Sequence, residues 1–588
     1  MAKKFYVTTA IDYVNARPHI GHAFEKVIAD ALIRWKKQKN VKTWFLTGTD
    51  ENAQKNAQVA KEKGMPIRKF VDTNSRIFIE LCKKLNISND DFIRTTEERH
   101  TKIAKEIFKK VYEKGEIYKG AYEGWYCVGC EEFKTGKNLV NGLCPEHYKK
   151  PEWISEEAYF FKLSKYKKEL TEFVKGYIVP ESKRNEILSR LKNEELRDLC
   201  VSRKNLDWGI DSPVDKKYKI YVWFDALINY ISGASGNWPA DVHVIGKGIN
   251  WFHSVIWPAI LISAGYKLPK TLLVHGYLNL RGQKISKSLG NVIDPLELIE
   301  KYGADAVRYS LFRCSVFEDS DYSEEILIER NNNELANKLG NLVSRVSSLI
   351  EKNGVTKTQN PLIKKLNEKK INESMEKYEF DKALSEIFTF IDVCNQYVQD
   401  KKPWGTNDKK VLFELKESII KIAELLWPFI PESSEKIKKC FSGSKVKKSE
   451  ILFKKIEIKE EKVIKEEKIE GVMTNVSFSE WEKLDLRVAK ILKAEDIEGA
   501  DKLYKLSLDV GKEIGKRTIC AGIKPYYSKD ELKNKKIIVF ANLEPRKIKG
   551  IESQGMLLAA STSDHGKVIL LKSKNDVFQG EKVIFQNG

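Results

Sequence analysis

The spacing of apolar residues over the first 115 positions predicts alternating strands and helices. The run from Phe5 to Ala10 is strand-like, and the apolar positions from Phe24 to Trp35 then recur on one face of a helix. Thr43 to Leu46 predicts a second strand, followed by a polar cluster at 48–51. Because doubly wound parallel sheets bind ligands where their strands end, the pattern predicts an α/β domain with a site at that edge.

The alternation stops at about 116 and resumes at about 236. Buried strands are then predicted at 242–247 and 272–276, each ending in a loop that would face a ligand. We therefore predict a parallel-sheet domain in two halves, 1–115 and 236–330, separated by an insertion at 116–235.

Beyond 330 the periodicity becomes helical, which predicts a helix bundle over 331–442. Residues 443–475 are rich in Lys and Glu and predict a charged linker, either irregular or a long solvated helix. Over 476–588, five short runs of β-branched residues predict a small β-barrel. The predicted strands are Leu486 to Ile491, Tyr504 to Val510, Thr518 to Ile523, Ile537 to Asn542 and Met556 to Ala560.

Composition narrows the class of protein without deciding it. The 588 residues are too many for one core, and the net charge of +20 fits either a polyanionic partner or a general excess of lysine. No run of about 18 apolar residues predicts a membrane span, and the start lacks a signal-peptide core. Nine cysteines, five of them far apart, indicate reduced thiols and a cytoplasmic setting.

Two short motifs about 265 residues apart suggest phosphate chemistry. His19-Ile20-Gly21-His22 opens the first helix, where free N–H groups attract phosphate, although two surface histidines on a capped helix would look the same. Lys284 and Lys287 lie in a polar loop between Gly282 and Gly290. Two ammonium groups there suit a polyphosphate, while the alternative is a solvated basic loop.

Four residues have the spacing of a structural zinc site. Cys127 and Cys130 form one C-x-x-C pair, and thirteen residues later Cys144 and His147 form a C-x-x-H pair. A closed site of three sulfurs and one imidazole has no open position, so the predicted zinc is structural.

The two motifs resemble the signatures of class I aminoacyl-tRNA synthetases, with Ile285 at a position that is usually methionine. Segments 9–13, 221–226 and 249–253 resemble the methionyl-tRNA synthetases in particular, and the resemblance extends over essentially the whole chain. It implies a Rossmann-type catalytic domain split by the zinc-bearing insertion, an anticodon-binding helix bundle and a C-terminal OB-fold domain that binds tRNA and dimerises.

The resemblance also implies site residues. Asp50 would hold the methionine ammonium group, and Tyr230 and His253 would hydrogen-bond its sulfur. Aromatic residues at these positions could equally be ordinary core. ATP would meet His19, Gly21, His22, Lys284 and Lys287, of which the two histidines and two lysines would be catalytic. The methionine side chain would be surrounded by Ile11, Tyr13, Trp223, Ala226, Leu227, Tyr230, Ile249 and His253.

One position departs from the family. An aspartate that contacts the nucleotide ribose usually follows Gly246-Lys247, and Gly248 stands there instead. The ribose contact is thus left open or assigned to the backbone.

The resemblance implies further partners. Asn341, Arg345, Pro403 and Trp404 would read the anticodon of tRNA(Met), both initiator and elongator. Methionine, ATP with Mg²⁺, one structural zinc per chain and a homodimer through the last domain are also implied, with no membrane. Two alternatives are a different class I synthetase and a tRNA-binding protein that has lost catalysis.

Overall fold

The computed structural model describes residues 4–127, 132–134, 139, 142–144, 149–204, 206–280, 283–284, 292–443, 445–457, 483–561, 568–573 and 577–583. The chain forms two compact units, Met1–Lys459 and Glu460–Gly588.

A six-stranded parallel sheet lies at the centre of the first unit. Phe5–Tyr13 pairs with Val242–Gly246 in the middle of the sheet, so strands from the two predicted halves meet there and the strand order reverses. In such sheets, ligands bind at this reversal, outside the carboxyl ends of the strands. Across the sheet the order is Asp91–Arg94, Thr43–Asp50, Phe5–Tyr13, Val242–Gly246, Thr271–His275 and Ile178–Val179.

Helices surround this sheet, and two of the predicted strands are longer than their apolar runs. Phe5–Tyr13 extends to include the buried Asp12, and Thr43–Asp50 extends through buried polar residues to Asp50, and these extensions of the two strands pair with each other. The α-helices before the bundle are Ile20–Gln38, Gln54–Glu62, Ile67–Lys84, Glu98–Glu113, Lys167–Tyr177, Glu181–Asn193, Val222–Leu227, Asn229–Ser232, Trp257–Ala264, Pro295–Tyr302 and Ala304–Phe312.

The predicted insertion contains an antiparallel sheet, but it also returns to the parallel sheet. Ile178–Val179, from the middle of this segment, is the edge strand next to Thr271–His275. The sequence pattern does not reveal this strand, because two residues are too few to show a period. The antiparallel sheet has the order Glu132–Lys134, Ile117–Cys127, Glu152–Phe161 and Leu199–Cys200, and Ser202–Lys204 pairs separately with Tyr218–Ile220.

A helix bundle follows, as the sequence predicts. The buried residues of these helices form one core cluster with those of Ile20–Gln38. The helices are Glu324–Arg330, the π-helix Asn331–Gly340, Asn341–Asn353, Glu368–Glu376, Phe380–Lys401, Pro403–Thr406, Lys409–Leu426 and Pro431–Ser442.

Arg308 joins the first long helix to the end of the bundle. Its side chain is fully buried, and its Nη2 lies 2.7 Å from Oδ2 of Asp30. The same guanidinium donates to the carbonyl oxygens of Pro428 and Phe429, at 2.9 and 2.8 Å. Burial alone would raise the pKa of Asp30, but Arg308 and Arg34 outweigh it, so that pKa is lowered and the carboxylate stays charged.

The described part of the predicted linker is irregular and packs on the bundle. Asn331 and Asn332 donate to the carbonyl oxygens of Lys454 and Ile456, at 3.0 and 2.8 Å. Residues 445–457 are therefore anchored, and the remainder of the linker to 475 lies outside the described residues.

The second unit is a nearly closed antiparallel barrel. Its main sheet contains the five predicted strands in the order Lys516–Ala521, Tyr504–Asp509, Leu486–Asp496, Lys536–Phe540 and Met556–Leu557. Two further strand pairs are short: Arg546–Ile548 with Ile551–Ser553, and Ala559–Ser561 with Val568–Leu570. One short helix, Lys529–Leu532, also belongs to this unit.

Candidate active site

A cavity of about 780 Å³ lies at the carboxyl ends of the central parallel strands. It brings together residues that are up to 268 positions apart in the chain, from Ala10 to Leu278. All nine residues predicted to bind methionine line it, together with three of the five predicted to bind ATP. These are Ile11, Tyr13, His19, Gly21, His22, Asp50, Trp223, Ala226, Leu227, Tyr230, Ile249 and His253.

The two motif histidines stack on each other at the start of the helix Ile20–Gln38. Their ring centroids are 3.8 Å apart. Nδ1 of His19 accepts from the Gly21 backbone N–H at 3.1 Å, and Nδ1 of His22 accepts from the His19 backbone N–H at 2.9 Å. Both Nδ1 atoms are therefore acceptors, and each neutral ring carries its proton on Nε2. A Cβ on Gly21 would lie 3.0 Å from the His19 ring, so glycine allows the stack.

A buried ion pair lies beneath the histidines. Lys26 is fully buried and pairs with Asp12, whose other oxygen is 3.8 Å from Nε2 of His22. Burial disfavours the Lys26 ammonium, but Asp12 leads the neighbours that outweigh this effect, and the pKa of Lys26 is raised. The cavity floor near His22 is thus held by two opposite charges.

Aromatic side chains form one end of the cavity. Trp223 stacks on Phe252 with centroids 3.7 Å apart, and Tyr13 meets the edge of Trp223 at 6.4 Å. The Tyr230 hydroxyl lies 2.7 Å from Nε2 of His253, and Nδ1 of His253 lies 3.0 Å from the Ile249 carbonyl oxygen. Burial lowers the pKa of His253 to about 4, so the ring is neutral near pH 7.

Asp50 lies at the carboxyl end of its strand and is oriented by its neighbours. Its Oδ1 accepts from the Asn52 backbone N–H at 3.3 Å, and its carbonyl oxygen accepts from the Asn56 amide at 3.0 Å. The next residue, Glu51, is fully buried and receives two hydrogen bonds from Arg94, at 2.6 and 3.0 Å. This bidentate pair fixes the backbone that carries Asp50.

The cavity is also lined by residues that the sequence did not indicate. Glu25 lines the cavity, and its Oε2 lies 3.2 Å from Nε2 of His275. Its Oε1 is buried and has no hydrogen-bond partner among the residues that the structure describes. Tyr277 also lines the cavity. Only the position of Glu25, one helical turn after Gly21, could have indicated it.

The predicted lysine loop is only partly described. Leu278–Leu280 pairs with Gln283–Lys284 and with Ser320–Asp321. The backbone of Lys284 therefore lies beside Asn279, the residue that follows Leu278 of the cavity lining. Lys287 lies outside the described residues.

The predicted zinc ligands are also only partly described. Cys127 and Cys144 are both buried, while Cys130 and His147 lie outside the described residues. No group of three or more potential metal ligands occurs within the described ranges, which hold two of the four predicted ligands.

The predicted anticodon residues lie on the bundle. Asn341 and Arg345 are exposed on the helix Asn341–Asn353. Pro403 is buried, whereas Trp404 beside it exposes 48% of its surface. Among the described helices, none is long and apolar enough to span a membrane.

Comparisons with known proteins agree with this arrangement. The family described as tRNA synthetases class I (M) matches residues 5–151 and 146–347. An anticodon-binding domain of tRNA ligases matches 362–498, and a tRNA binding domain matches 486–582.

Individual relatives match over nearly the full length. The methionine–tRNA ligase of Caldanaerobacter subterraneus subsp. tengcongensis is 43% identical over 99% of this chain and 100% of its own. That of Thermotoga maritima is 41% identical, with the same coverage. The structure of Mycobacterium tuberculosis methionyl-tRNA synthetase in complex with methionyl-adenylate has a TM-score of 0.71 at 37% identity, covering 74% of this chain and 94% of that one.

The split parallel sheet, the stacked histidines and the helix bundle define a class I aminoacyl-tRNA synthetase. Within that class, the chain belongs to the methionine–tRNA ligase family. It activates methionine with ATP, which gives methionyl-adenylate and pyrophosphate, and transfers methionine to the 3′ end of tRNA(Met).

Proposed function

We propose that the cavity divides into a methionine end, a nucleoside wall and a phosphate end. The observation that carries this proposal is that one cavity joins the aromatic cluster around Trp223, the carboxylate of Asp50 and the stacked histidines. Methionine and ATP must lie side by side for their reaction, and this cavity is large enough for both.

At the methionine end, Asp50 holds the ammonium group and the aromatic rings surround the thioether. Sulfur–aromatic contacts contribute roughly 0.3–1.5 kcal/mol each, which favours methionine over an unbranched hydrocarbon. Because His253 donates to Ile249, its Nε2 accepts the Tyr230 proton, so both donors are already engaged within the protein. We therefore propose that Tyr230 and His253 contact the sulfur through dispersion and through the fixed shape of their hydrogen-bonded pair, in place of the hydrogen bonds expected from the resemblance.

At the phosphate end, His19 and His22 present Nε2–H groups at a helix N-terminus, where phosphate is favoured. Lys284 and Lys287 are proposed to bind the phosphates with them. The methionine carboxylate attacks the α-phosphorus, a new O–P bond forms, and the P–O bond to pyrophosphate breaks. The histidines and lysines stabilise the negative charge that develops on pyrophosphate, and no protein nucleophile is needed. Bound Mg²⁺ would supply further charge neutralisation on the phosphates.

In the second step, a terminal ribose hydroxyl of the tRNA attacks the carbonyl of methionyl-adenylate, and AMP leaves. The protein contributes by holding the adenylate in place and excluding water.

The decisive experiment is pyrophosphate exchange with each of the twenty amino acids. We expect exchange with methionine alone above background. Exchange with another amino acid would contradict the assignment of the aromatic end to methionine, and no exchange at all would contradict the proposed division of the cavity.

We also propose one structural zinc per chain, held by Cys127, Cys130, Cys144 and His147. Burial of Cys127 and Cys144 suits thiolate ligands that are kept from solvent. Zinc would fix the end of the antiparallel strand pair Ile117–Cys127 and Glu152–Phe161, where Cys127 is the last residue of its strand.

Anticodon reading is assigned to the bundle. The exposed indole of Trp404 suits stacking on an unpaired base, and Asn341 and Arg345 offer hydrogen bonds from one exposed helix face. Both initiator and elongator tRNA(Met) carry the same anticodon, so this mode accepts either.

The second unit is proposed to grip tRNA and to form a homodimer. Basic residues on its surface suit phosphate contacts, and they include Lys502, Lys505, Lys516, Arg517, Arg546, Lys547 and Lys549. Apolar side chains are also exposed there, with Ile569 at 61% and Phe578 at 72%. Exposed apolar side chains of this size suit the interface of a symmetric dimer. A cytoplasmic setting for the protein is also proposed.

A further inference from the structure

The turn Gly246-Lys247-Gly248 is covered by the ring of Tyr277. This turn follows the strand Val242–Gly246, and Tyr277 follows the neighbouring strand Thr271–His275, so both lie at carboxyl ends. A Cβ built on Gly246 would lie 3.8 Å from Cε1 of Tyr277, and a Cβ built on Gly248 would lie 2.1 Å from its hydroxyl oxygen. The phenol therefore occupies the space that any side chain at 248 would need.

Tyr277 is held in this position from the other side. Its backbone N–H donates to Oδ1 of Asp319 at 2.9 Å, and both oxygens of Asp319 accept from Nζ of Lys247, at 2.8 and 2.7 Å. The Lys247 ammonium also lies 4.7 Å from the centre of the Tyr277 ring. Asp319 thus holds the backbone of Tyr277, and the Lys247 ammonium lies over its ring, so the phenol is positioned against the turn.

The place of Gly248 and Tyr277 in the cavity indicates which part of the substrates they would contact. Gly246, Gly248 and Tyr277 all line the cavity, as do the methionine residues and the stacked histidines. Methionine takes the aromatic end and the phosphates take the helix N-terminus, so the nucleoside is left for the wall at the ends of the two neighbouring strands. Within a nucleoside, the ribose offers hydroxyls that both donate and accept, which is also the capacity of a phenol.

We propose that the Tyr277 hydroxyl binds the ribose of ATP and that Gly248 is required to admit it. This rests on the function proposed above and adds a specificity residue to it. Where the family resemblance expects a carboxylate at 248, this chain uses a neutral hydroxyl that reaches the same wall from the next strand.

The test uses the full chain with Tyr277→Phe, and Tyr112→Phe on an exposed helix face as the matched control. The probes are ATP, 2′-deoxy-ATP and 3′-deoxy-ATP in methionine-dependent pyrophosphate exchange. Loss of one neutral hydrogen bond should raise KM for ATP about three- to tenfold, with KM for methionine unchanged. The wild type should discriminate against one deoxy analogue, and Tyr277→Phe should lose that discrimination.

A second pair of variants tests the contact itself. Gly248→Ala alone should displace the phenol and raise KM for ATP further than Tyr277→Phe does. In the Tyr277→Phe background the same alanine should have little additional effect, because the new Cβ would meet ring carbon Cζ at 3.5 Å, an ordinary contact. Additive effects would overturn the proposed contact.

The two proposals fail in different ways. If the wild type exchanges with methionine but Tyr277→Phe keeps full discrimination between ATP and both deoxy analogues, the ribose role is wrong and the proposed function stands. If the wild type shows no methionine-dependent exchange, the proposed function fails first.

Discussion

The Tyr230 hydroxyl donates to Nε2 of His253, because Nδ1 of that ring is already committed to the Ile249 carbonyl oxygen at 3.0 Å. A carbonyl oxygen can only accept, so the tautomer of His253 is fixed with its proton on Nδ1. The part of the cavity wall formed by Tyr230 and His253 is therefore neutral, and its two polar groups hydrogen-bond to each other.

This pair predicts how stability depends on pH. The pKa of His253 is lowered from 6.5 to about 4 by burial, so between these values the unfolded chain binds a proton that the folded chain does not. The free energy of unfolding should fall by about 3 kcal/mol as the pH drops from 6.5 to 4 and lose nothing further from this group below 4. The free energy of unfolding should be measured by denaturant titration at several pH values in this range, for the wild type and for His253→Gln. It should change less with pH in the variant. An equal change with pH in both proteins would contradict the assignment.

Lys287 is expected to act on the transition state. Lys287→Ala should lower methionine-dependent exchange by roughly 10²-fold or more and leave methionine affinity nearly unchanged, as for a contact to the leaving pyrophosphate. Exchange kinetics and equilibrium methionine binding are the two measurements. Lys267→Ala, an exposed lysine outside the cavity, is the control. Normal turnover in Lys287→Ala would remove the lysine from the phosphate end.

Zinc should be present once per chain and depend on the four proposed ligands. Cys130→Ser should lose most of the metal in elemental analysis, because serine is a poor zinc ligand at neutral pH. Cys440→Ser is the control, since that thiol donates to the Lys447 carbonyl oxygen on the bundle. If Cys130→Ser keeps a full equivalent of zinc, the metal is bound elsewhere or by other residues.

Trp404 should matter for tRNA and not for adenylate formation. Trp404→Ala should weaken aminoacylation by the loss of one stacked base, about 1–3 kcal/mol or roughly 5- to 150-fold in kcat/KM for tRNA. Pyrophosphate exchange should be unchanged. Trp153→Ala removes another exposed tryptophan, which is 56% exposed on the insertion, and serves as the control. A parallel loss of exchange in Trp404→Ala would mean that the indole is structural.

Removal of residues 476–588 should give a monomer in sedimentation, with normal exchange and with tRNA binding that is weaker and less sensitive to salt. The point variants Phe578→Lys and Ile569→Lys should also give monomers while the barrel stays folded, because both side chains are exposed. A dimer that survives the truncation would place the interface in the first unit.

Local pattern predicted the elements that have a clear period. The alternation over 1–115 indicated the parallel sheet, and the stripe from Phe24 to Trp35 indicated the helix whose first turn holds His19 and His22. The methionine residues were predicted by resemblance, and the structure brings all nine to one cavity. Their individual roles remain predictions.

Contacts between distant residues could not be read from the sequence. Glu51 and Arg94 are 43 positions apart, and nothing in either neighbourhood marks the two as partners. The contact between Tyr277 and Gly248 could not be predicted either, since no local sequence pattern marks a phenol that packs on a distant glycine. Ile178–Val179 was missed because tertiary pairing alone makes two residues a strand.

The buried guanidinium of Arg308 has a consequence for the distance between the cavity and the helix bundle. It ties Asp30, on the helix that begins at His19, to the carbonyl oxygens of Pro428 and Phe429 at the end of the bundle. Because these contacts are direct and Arg308 is fully buried, bending at this joint would leave a buried charge unpaired, at a cost of about 3–5 kcal/mol. The span from the stacked histidines to the exposed indole of Trp404 is therefore held constant, and on the anticodon role proposed for Trp404 we predict that it acts as a ruler of fixed length. An RNA whose anticodon and 3′ end are separated by a different distance cannot satisfy both ends at once.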